Sequence, residues 1–291
     1  MMPPHDVYIE PFLGSGAIVR RKRPAEVMTY AYELNPKTID EFVKHLPDGW
    51  SPADFGDPEL SYQDAEDVFD FADEDGTPRL QIRNTDGVKA IQDLLAASSG
   101  FWAWNDPART VVYADPPYPR DSRSSKSAIY QFEMFEQSQH RELLDFLAAV
   151  PCKVMISSYA NPLYNSKLKN WRTEEIPTVN RAGDRVIETV YLNFPEPFEL
   201  HDYEHVGTDY RDRWRIEKKA RNWERNLFTM PALERYAILG RLNDRRKQFA
   251  QAEADQAAQA AADRERIAKR REREQRPTPA AALGSREQDL F

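Results

Sequence analysis

The chain has 291 residues, 41% of them hydrophobic, with 40 Lys and Arg against 48 Asp and Glu for a formal net charge of −8. That content suffices for one large or two modest cores, and no run approaches the roughly 18 consecutive apolar residues of a membrane span. The N-terminal MMPPHDVYIEPF has no basic-then-apolar order and Cys152 is the single cysteine, so a secreted protein, a disulfide framework and a Cys-rich zinc site are not expected, and a cytoplasmic protein without a metal is. In chain order, the apolar run 7–12 ends in a glycine turn, and 26–33, with Val27, Met28, Tyr30, Ala31 and Tyr32, reads as a buried strand. Over 87–97 the residues Val88, Ile91, Leu94 and Leu95 mark one helical face. A strand is predicted over 110–114, stopped by Pro116 and Pro117, then a helix over 140–150, and strands over 153–159 and 186–194. Such alternation predicts an α/β fold, a mainly parallel sheet with helices on both faces.

The average charge conceals two opposed segments. Residues 40–75 hold 13 acidic residues against one basic, Lys44, whereas 211–247 hold 12 basic against 5 acidic. The expected organisation is a folded domain over 1–205 with an acidic insert at 40–78, a basic helical segment over 206–247, and a charged Ala-rich helix with a flexible tail over 248–291.

Two segments carry chemistry. In Glu10-Pro11-Phe12-Leu13-Gly14-Ser15-Gly16 two closely spaced glycines let the backbone take positive φ and approach a ligand. The turn suits a nucleotide-like cofactor at a parallel strand's carboxyl end, or is a plain strand-to-helix turn. Asp115-Pro116-Pro117-Tyr118 follows an apolar strand directly. Its prolines stiffen a loop and remove two donors, leaving carbonyls and Asp115 as acceptors beside an aromatic ring, an arrangement suited to a planar base bearing an amino group.

The pair EPFLGSG at 10–16 and ADPPY at 114–118 resembles the Dam-type family of S-adenosylmethionine-dependent DNA adenine methyltransferases. Arg123, Tyr130, His140 and Ser157-Ser158-Tyr159 extend the likeness to its phage and prophage members. The resemblance spans about 7–195, more faintly to 242, and implies a Rossmann-like class I methyltransferase fold with a C-terminal helical extension. It implies that Phe12, Gly14 and Gly16 lie against the cofactor's methionine and ribose, with Glu10 and Pro11 in the same loop. Glu33 would receive the ribose hydroxyls, or be a surface carboxylate. Asp86 would accept from the cofactor's adenine amino group, or cap the helix near Gly87.

For the reaction, the resemblance implies that Asp115 and the Pro116 carbonyl accept from the 6-amino group of a flipped-out adenine. Pro117 stiffens the loop, Tyr118 stacks on the base, and the methyl passes directly in line. Cys152, in an apolar strand, is expected to be structural. Asp at the first tetrapeptide position favours adenine, since the related cytosine enzymes usually carry Ser there and the protein-glutamine enzymes Asn.

The sequence departs from the family pattern in two places. Members usually have a lysine-bearing segment before the glycine motif, whereas nine residues precede Glu10 here, so fewer contacts hold the cofactor or another part substitutes. The acidic insert occupies the family's DNA-recognition position and would repel phosphates. Arg211, Arg213, Arg215, Lys218, Lys219, Arg221 and Arg225, interleaved with Trp214 and Trp223, are the expected DNA contacts. The other reading of that stretch is a helix packing Trp214, Ile216 and Trp223 into a core. Arg120, Arg123 and Lys126 would position the target strand's phosphates. The terminal Glu287-Gln288-Asp289-Leu290-Phe291 loosely resembles a sliding-clamp-binding peptide, with the clamp then a partner alongside DNA. The other readings of the whole chain are a partner- or DNA-binding module with this fold and weakened cofactor affinity, and an amino-group methyltransferase acting on RNA or another base.

Overall fold

Strand β1 (Val7–Glu10) is buried at all four positions, as a strand covered on both faces of a parallel sheet must be. It pairs in parallel with β2 (Met28–Glu33) on one side and β6 (Thr110–Ala114) on the other. Outward from β2 the sheet continues through parallel β5 (Pro78–Asn84) to antiparallel β4 (Val68–Ala72) and then the short β3 (Ser51–Pro52). Outward from β6 come parallel β7 (Lys153–Ser158), antiparallel β9 (Arg185–Leu192) and, along its outer edge, β8 (Arg172–Val179). The strand order β3-β4-β5-β2-β1-β6-β7-β9-β8, five central parallel strands with an antiparallel partner beyond β7, is the mainly parallel sheet that the sequence pattern predicts and the Rossmann-like class I methyltransferase fold that the resemblance implies. The computed structural model describes residues 1–46, 51–52, 68–72, 78–96, 100–119, 134, 136–180 and 183–246, with 248, 252 and 255. The chain divides into two compact units, the first Met1–Glu204 and the second beginning at His205.

Alternation along the strands feeds two cores. Val7, Ile9, Val112 and Ile156 face Ile91 of α3 (Gly87–Leu95) and Leu143, Leu144 and Leu147 of α5 (Gln137–Ala149). Tyr8, Val111 and Met155 face Val19 of α1 (Ala17–Arg21) and Ile39 and Phe42 of α2 (Pro36–Lys44). Successive side chains of a strand point to opposite faces, so helices cover both. Each fully buried leucine of α5 contributes roughly 2 kcal/mol of apolar burial. Helix α2 starts where Asn35 caps Lys37 N and Pro36 occupies the first turn. Asp40 and Glu41 of the acidic segment therefore lie on the exposed side of a helix whose Ile39 and Phe42 are buried. The far end of that segment forms β4 and extends the sheet; 47–50, 53–67 and 73–77 lie outside the described residues.

A buried histidine pair closes the first unit. His5 and His201 stack with ring centroids 3.7 Å apart. His5 Nδ1 donates to Pro3 O at 2.8 Å and His201 Nε2 to Pro24 O at 2.7 Å, while His201 Nδ1 accepts from His5 N at 3.4 Å. Lys22 Nζ lies 3.5 Å from His5 Nε2, so both rings are satisfied as neutral tautomers. Burial, and then the Lys22 charge, push His5 down to about 3, and burial lowers His201. A ring with a depressed folded pKa binds fewer protons folded than unfolded. For His5 the stabilising contribution is complete above pH 6.5 and is lost as pH falls from there towards 3, at up to about 1.4 kcal/mol per pH unit, and His201 acts in the same direction. Urea unfolding of wild type minus His5→Gln, followed from pH 7.5 to 4.5, should show this slope; parallel curves would contradict it.

In the second unit Asp209 caps α7 (Tyr210–Thr229), its Oδ1 accepting from Asp212 N. Residues 232–246 are helical after Pro231. No residue of α7 is buried. Among the described residues no helix is long and apolar enough to cross a membrane.

Candidate functional site

The chain leaves β1 towards β2 and β5 and returns to β6 on β1's other side, so the carboxyl ends of β1 and β6 diverge at a topological switch point where open α/β sheets hold ligands. Both chemistry-bearing segments lie there. They border a cavity of about 850 Å³, walled also by the end of β2 and the start of α3.

The glycine loop is fastened to β2. Leu13 N donates to Tyr32 O at 2.9 Å and Gly14 N to Glu33 Oε2 at 2.9 Å, while Glu33 Oε1 accepts from Asn35 N at 2.9 Å. Gly14, at φ +52°, lines the cavity with open space where a Cβ would stand. Gly16 differs from expectation. It is buried, and a Cβ there would meet the Phe42 ring at 2.3 Å, so this glycine permits close packing of α2 and does not border the cavity. Pro11, Phe12 and Glu33 do border it.

Glu10, 2% exposed, accepts from Tyr8 Oη at 2.8 Å and forms part of the cavity wall. Burial pushes its carboxyl up to about 8, with the Asp115 charge adding to the rise, so near neutrality it largely holds its proton. Asp86 Oδ1 accepts from Val88 N at 2.8 Å and Lys89 N at 3.1 Å, and the same residue borders the cavity. Asp86 is thus the helix cap that one reading expects, at a position that also borders the cavity. Sequence reasoning missed Gly87, where a Cβ would come within 1.7 Å of Pro11 O. Its only sequence signal was an Asp-Gly pair ahead of a helical run.

Asp115 stands at the end of β6, open to the cavity but ringed by protein. Burial, then the Glu188 charge, push its carboxyl up to about 7. Because water enters the open cavity, the full shift requires a ligand that excludes it. Pro116 is buried and Pro117 reaches the cavity. Tyr118 donates to Glu188 Oε1 at 2.9 Å, and its ring meets Tyr159 edge-on with centroids 4.6 Å apart. Glu188 was also missed; a carboxylate interrupting the apolar run of β9 is the available signal.

Cys152 is buried and its thiol is pushed up to about 12, the protonated state of a structural cysteine. His140 is a core residue, Nδ1 at 3.0 Å from Tyr164 Oη and Nε2 at 3.1 Å from Met134 O. Arg120, Arg123, Lys126 and Tyr130 lie outside the described residues, as do 287–291. Arg213, Arg215, Lys218 and Lys219 lie on α7. Trp214 and Trp223 are 48% and 56% exposed, which corrects the reading that buries them in a core. Trp214, Lys218, Arg221, Arg225 and Phe228 line one open groove along α7, spaced by four, three, four and three residues as one helical face requires. Lys218 Nζ lies 4.8 Å above the Trp214 ring centroid.

No protein-family model matches the chain, and no curated protein does. Among solved structures it is similar to human methyltransferase-like protein 13 in complex with SAH, with 14% identity, coverage of 78% of this chain and 84% of that one, and a TM-score of 0.37. For the 23S rRNA methyltransferase ErmE the values are 12%, 75% and 69%, and 0.33. For magnesium protoporphyrin IX methyltransferase from Synechocystis PCC 6803 with bound SAM they are 9%, 65% and 69%, and 0.32.

Proposed function

We propose that this chain transfers a methyl group from S-adenosylmethionine to the 6-amino nitrogen of adenine in DNA. The observation that carries the reading is the meeting of the Asp115-Pro116-Pro117-Tyr118 loop, at the end of β6, with the Gly14 and Glu33 wall of one cavity, at the ends of β1 and β2. The cavity's size is that of a small-molecule site. Gly14 offers backbone without an obstructing side chain, and Glu33 offers a carboxylate near the end of β2 for vicinal hydroxyls. Phe12, Gly14, Glu33 and Asp86 would hold the cofactor. When bound, it supplies an electrophilic methyl on a sulfonium.

The chain's own residues then have to make a poor nucleophile reactive. Adenine's amino lone pair is delocalised into the ring, and accepting its N–H hydrogens localises that pair on nitrogen. Asp115 and the Pro116 carbonyl are the acceptors in this reading, with the aromatic face of Tyr118 against the flipped base. The Asp115 carboxyl offers both oxygens as acceptors when ionised, whereas protonation turns one of them into a donor. In this reading the exposed Arg and Lys of α7 contact DNA phosphates, with Trp214 beside Lys218 as a stacking surface.

Calorimetric titration with S-adenosylmethionine and mass spectrometry of DNA nucleosides from expressing cells test the reading together. Saturable binding and N6-methyladenine above the level of an empty-vector host are expected. Binding without methylated adenine would redirect the search to RNA or another amino acceptor, and absence of binding with and without DNA would overturn the enzyme reading.

A further inference from the structure

Glu188 lies outside the cavity, on an antiparallel strand that the two chemistry-bearing motifs do not include, yet its carboxylate reaches the tetrapeptide loop. Strand β9 pairs with β7 so that Thr189 faces Ser158, which brings Glu188 alongside Tyr159 and Tyr118. Tyr118 Oη donates to Glu188 Oε1 at 2.9 Å. The same hydroxyl also bears on the Asp115 carboxylate, whose proton affinity it lowers by hydrogen bonding, and Ser157 acts on the Tyr118 hydroxyl in the same way. One phenolic proton thus stands between two carboxylates, and a hydroxyl has a single proton to donate. Whichever carboxylate receives it loses acceptor capacity.

We propose that Glu188 is a positioning residue: by engaging the Tyr118 hydroxyl it keeps that hydroxyl off Asp115, leaving the Asp115 carboxylate open to the substrate's amino group. The inference rests on the adenine-methylation reading above, which makes Asp115 the acceptor. It explains why a charged side chain interrupts the apolar run of β9. It also adds a second effect, since the Glu188 charge raises the proton affinity of Asp115. Among the described residues, the other groups that act electrostatically with Asp115 are Glu10 and Tyr8 from β1, Tyr113 from β6, Tyr118 from its own loop and Tyr164 from α6 (Pro162–Lys167). Of these only Glu10 is a second carboxylate, and burial keeps it largely protonated near neutrality.

The mechanism has a signature that a merely structural glutamate would not share. Removing the Glu188 side chain releases the Tyr118 hydroxyl to cap Asp115, so deleting that hydroxyl as well should restore activity. Glu188→Ala is expected to lower methyl transfer to DNA roughly tenfold, the cost of one blocked hydrogen-bond acceptor. Glu188→Ala with Tyr118→Phe should recover most of that loss. Glu188→Gln keeps an acceptor for Tyr118 but removes the like charge, so the acid limb of its pH–rate profile should move to lower pH. Independently of activity, carboxyl carbon NMR of cofactor-free protein labelled at aspartate, with the Asp115 signal assigned by its loss in Asp115→Asn, should titrate at lower pH in Glu188→Gln than in wild type. A double variant no more active than Glu188→Ala, or an unmoved Asp115 titration, would overturn the inference. Should Glu188→Ala fail to fold, the Glu188→Gln titration decides alone. If wild type transfers nothing to DNA while the titration moves as expected, the methylation reading fails and the pairing of Glu188 with the Tyr118–Asp115 unit stands.

Discussion

Asp115→Ala is expected to lower methyl transfer by a factor of about 100 to 1,000 without unfolding the protein. The factor is that for deleting one preorganised hydrogen-bonding group directed at a reacting atom. The fold is spared because Asp115 is open to the cavity and is absent from both apolar clusters. Removing it also lifts the repulsion between Asp115 and Glu188, so the variant's melting temperature should equal or exceed that of wild type. In the proposed mechanism the Asp115 acceptor works only when ionised. Its carboxyl is pushed up to about 7 by burial and by Glu188, so the rate should rise with pH through about 7 and level off above it. Transfer of a labelled methyl group to DNA, followed from pH 5.5 to 9 beside thermal melting, checks both statements. Retention of more than a tenth of the activity in Asp115→Ala, or a rate flat with pH, would remove Asp115 from the assigned role.

The second large effect is expected at a glycine with no part in the chemistry. In Gly87→Ala the new Cβ would come 1.7 Å from Pro11 O, 2.6 Å from its carbonyl carbon and 3.0 Å from its Cα. All three are backbone atoms, so no side chain can rotate away. Either the start of α3 or the Pro11–Gly14 loop must shift, and both wall the same cavity. Overpacking of this kind costs about 3 kcal/mol. The shift also displaces Asp86, whose Oδ1 holds two amides of the helix start. We expect a lower denaturant midpoint and at least tenfold weaker S-adenosylmethionine binding by calorimetry. Gly14→Ala is the control for stability alone: at φ +52° with open space around it, its cost to folding is backbone strain of about 1–2 kcal/mol, while its Cβ projects into the cavity. A Gly87→Ala protein that melts and binds like wild type would refute the close approach.

The elements nearest the site were the most legible. Strands β1, β2, β6, β7 and β9 are apolar runs bounded by turns, and the register of burial follows from their composition. Strand β8 was overlooked for a physical reason. Its RTEEIPTV has adjacent glutamates and few apolar residues around Pro177, so no period of two stands out, and such a sequence persists as a strand only at a sheet edge. Strand β5, with Leu80 and Ile82 buried, carried an alternating signal inside charged surroundings and was likewise missed. Helix α2 was hidden because the acidic segment was read by charge, although Asn35-Pro36 marks its start and Ile39 and Phe42 are its buried face.

The sequence by itself determined the α/β class, the strand preceding each motif, and the residue types available at each strand end, because hydrophobic period and turn chemistry are local properties. Only the tertiary structure decided which of those residues meet. Gly14 turned to the cavity while Gly16 turned to Phe42, Gly87 met Pro11, and Glu188 took the hydroxyl of Tyr118. Such contacts join segments that become neighbours through the order of strands in the sheet. No local pattern encodes that order, because it follows from burying both faces of the sheet at once.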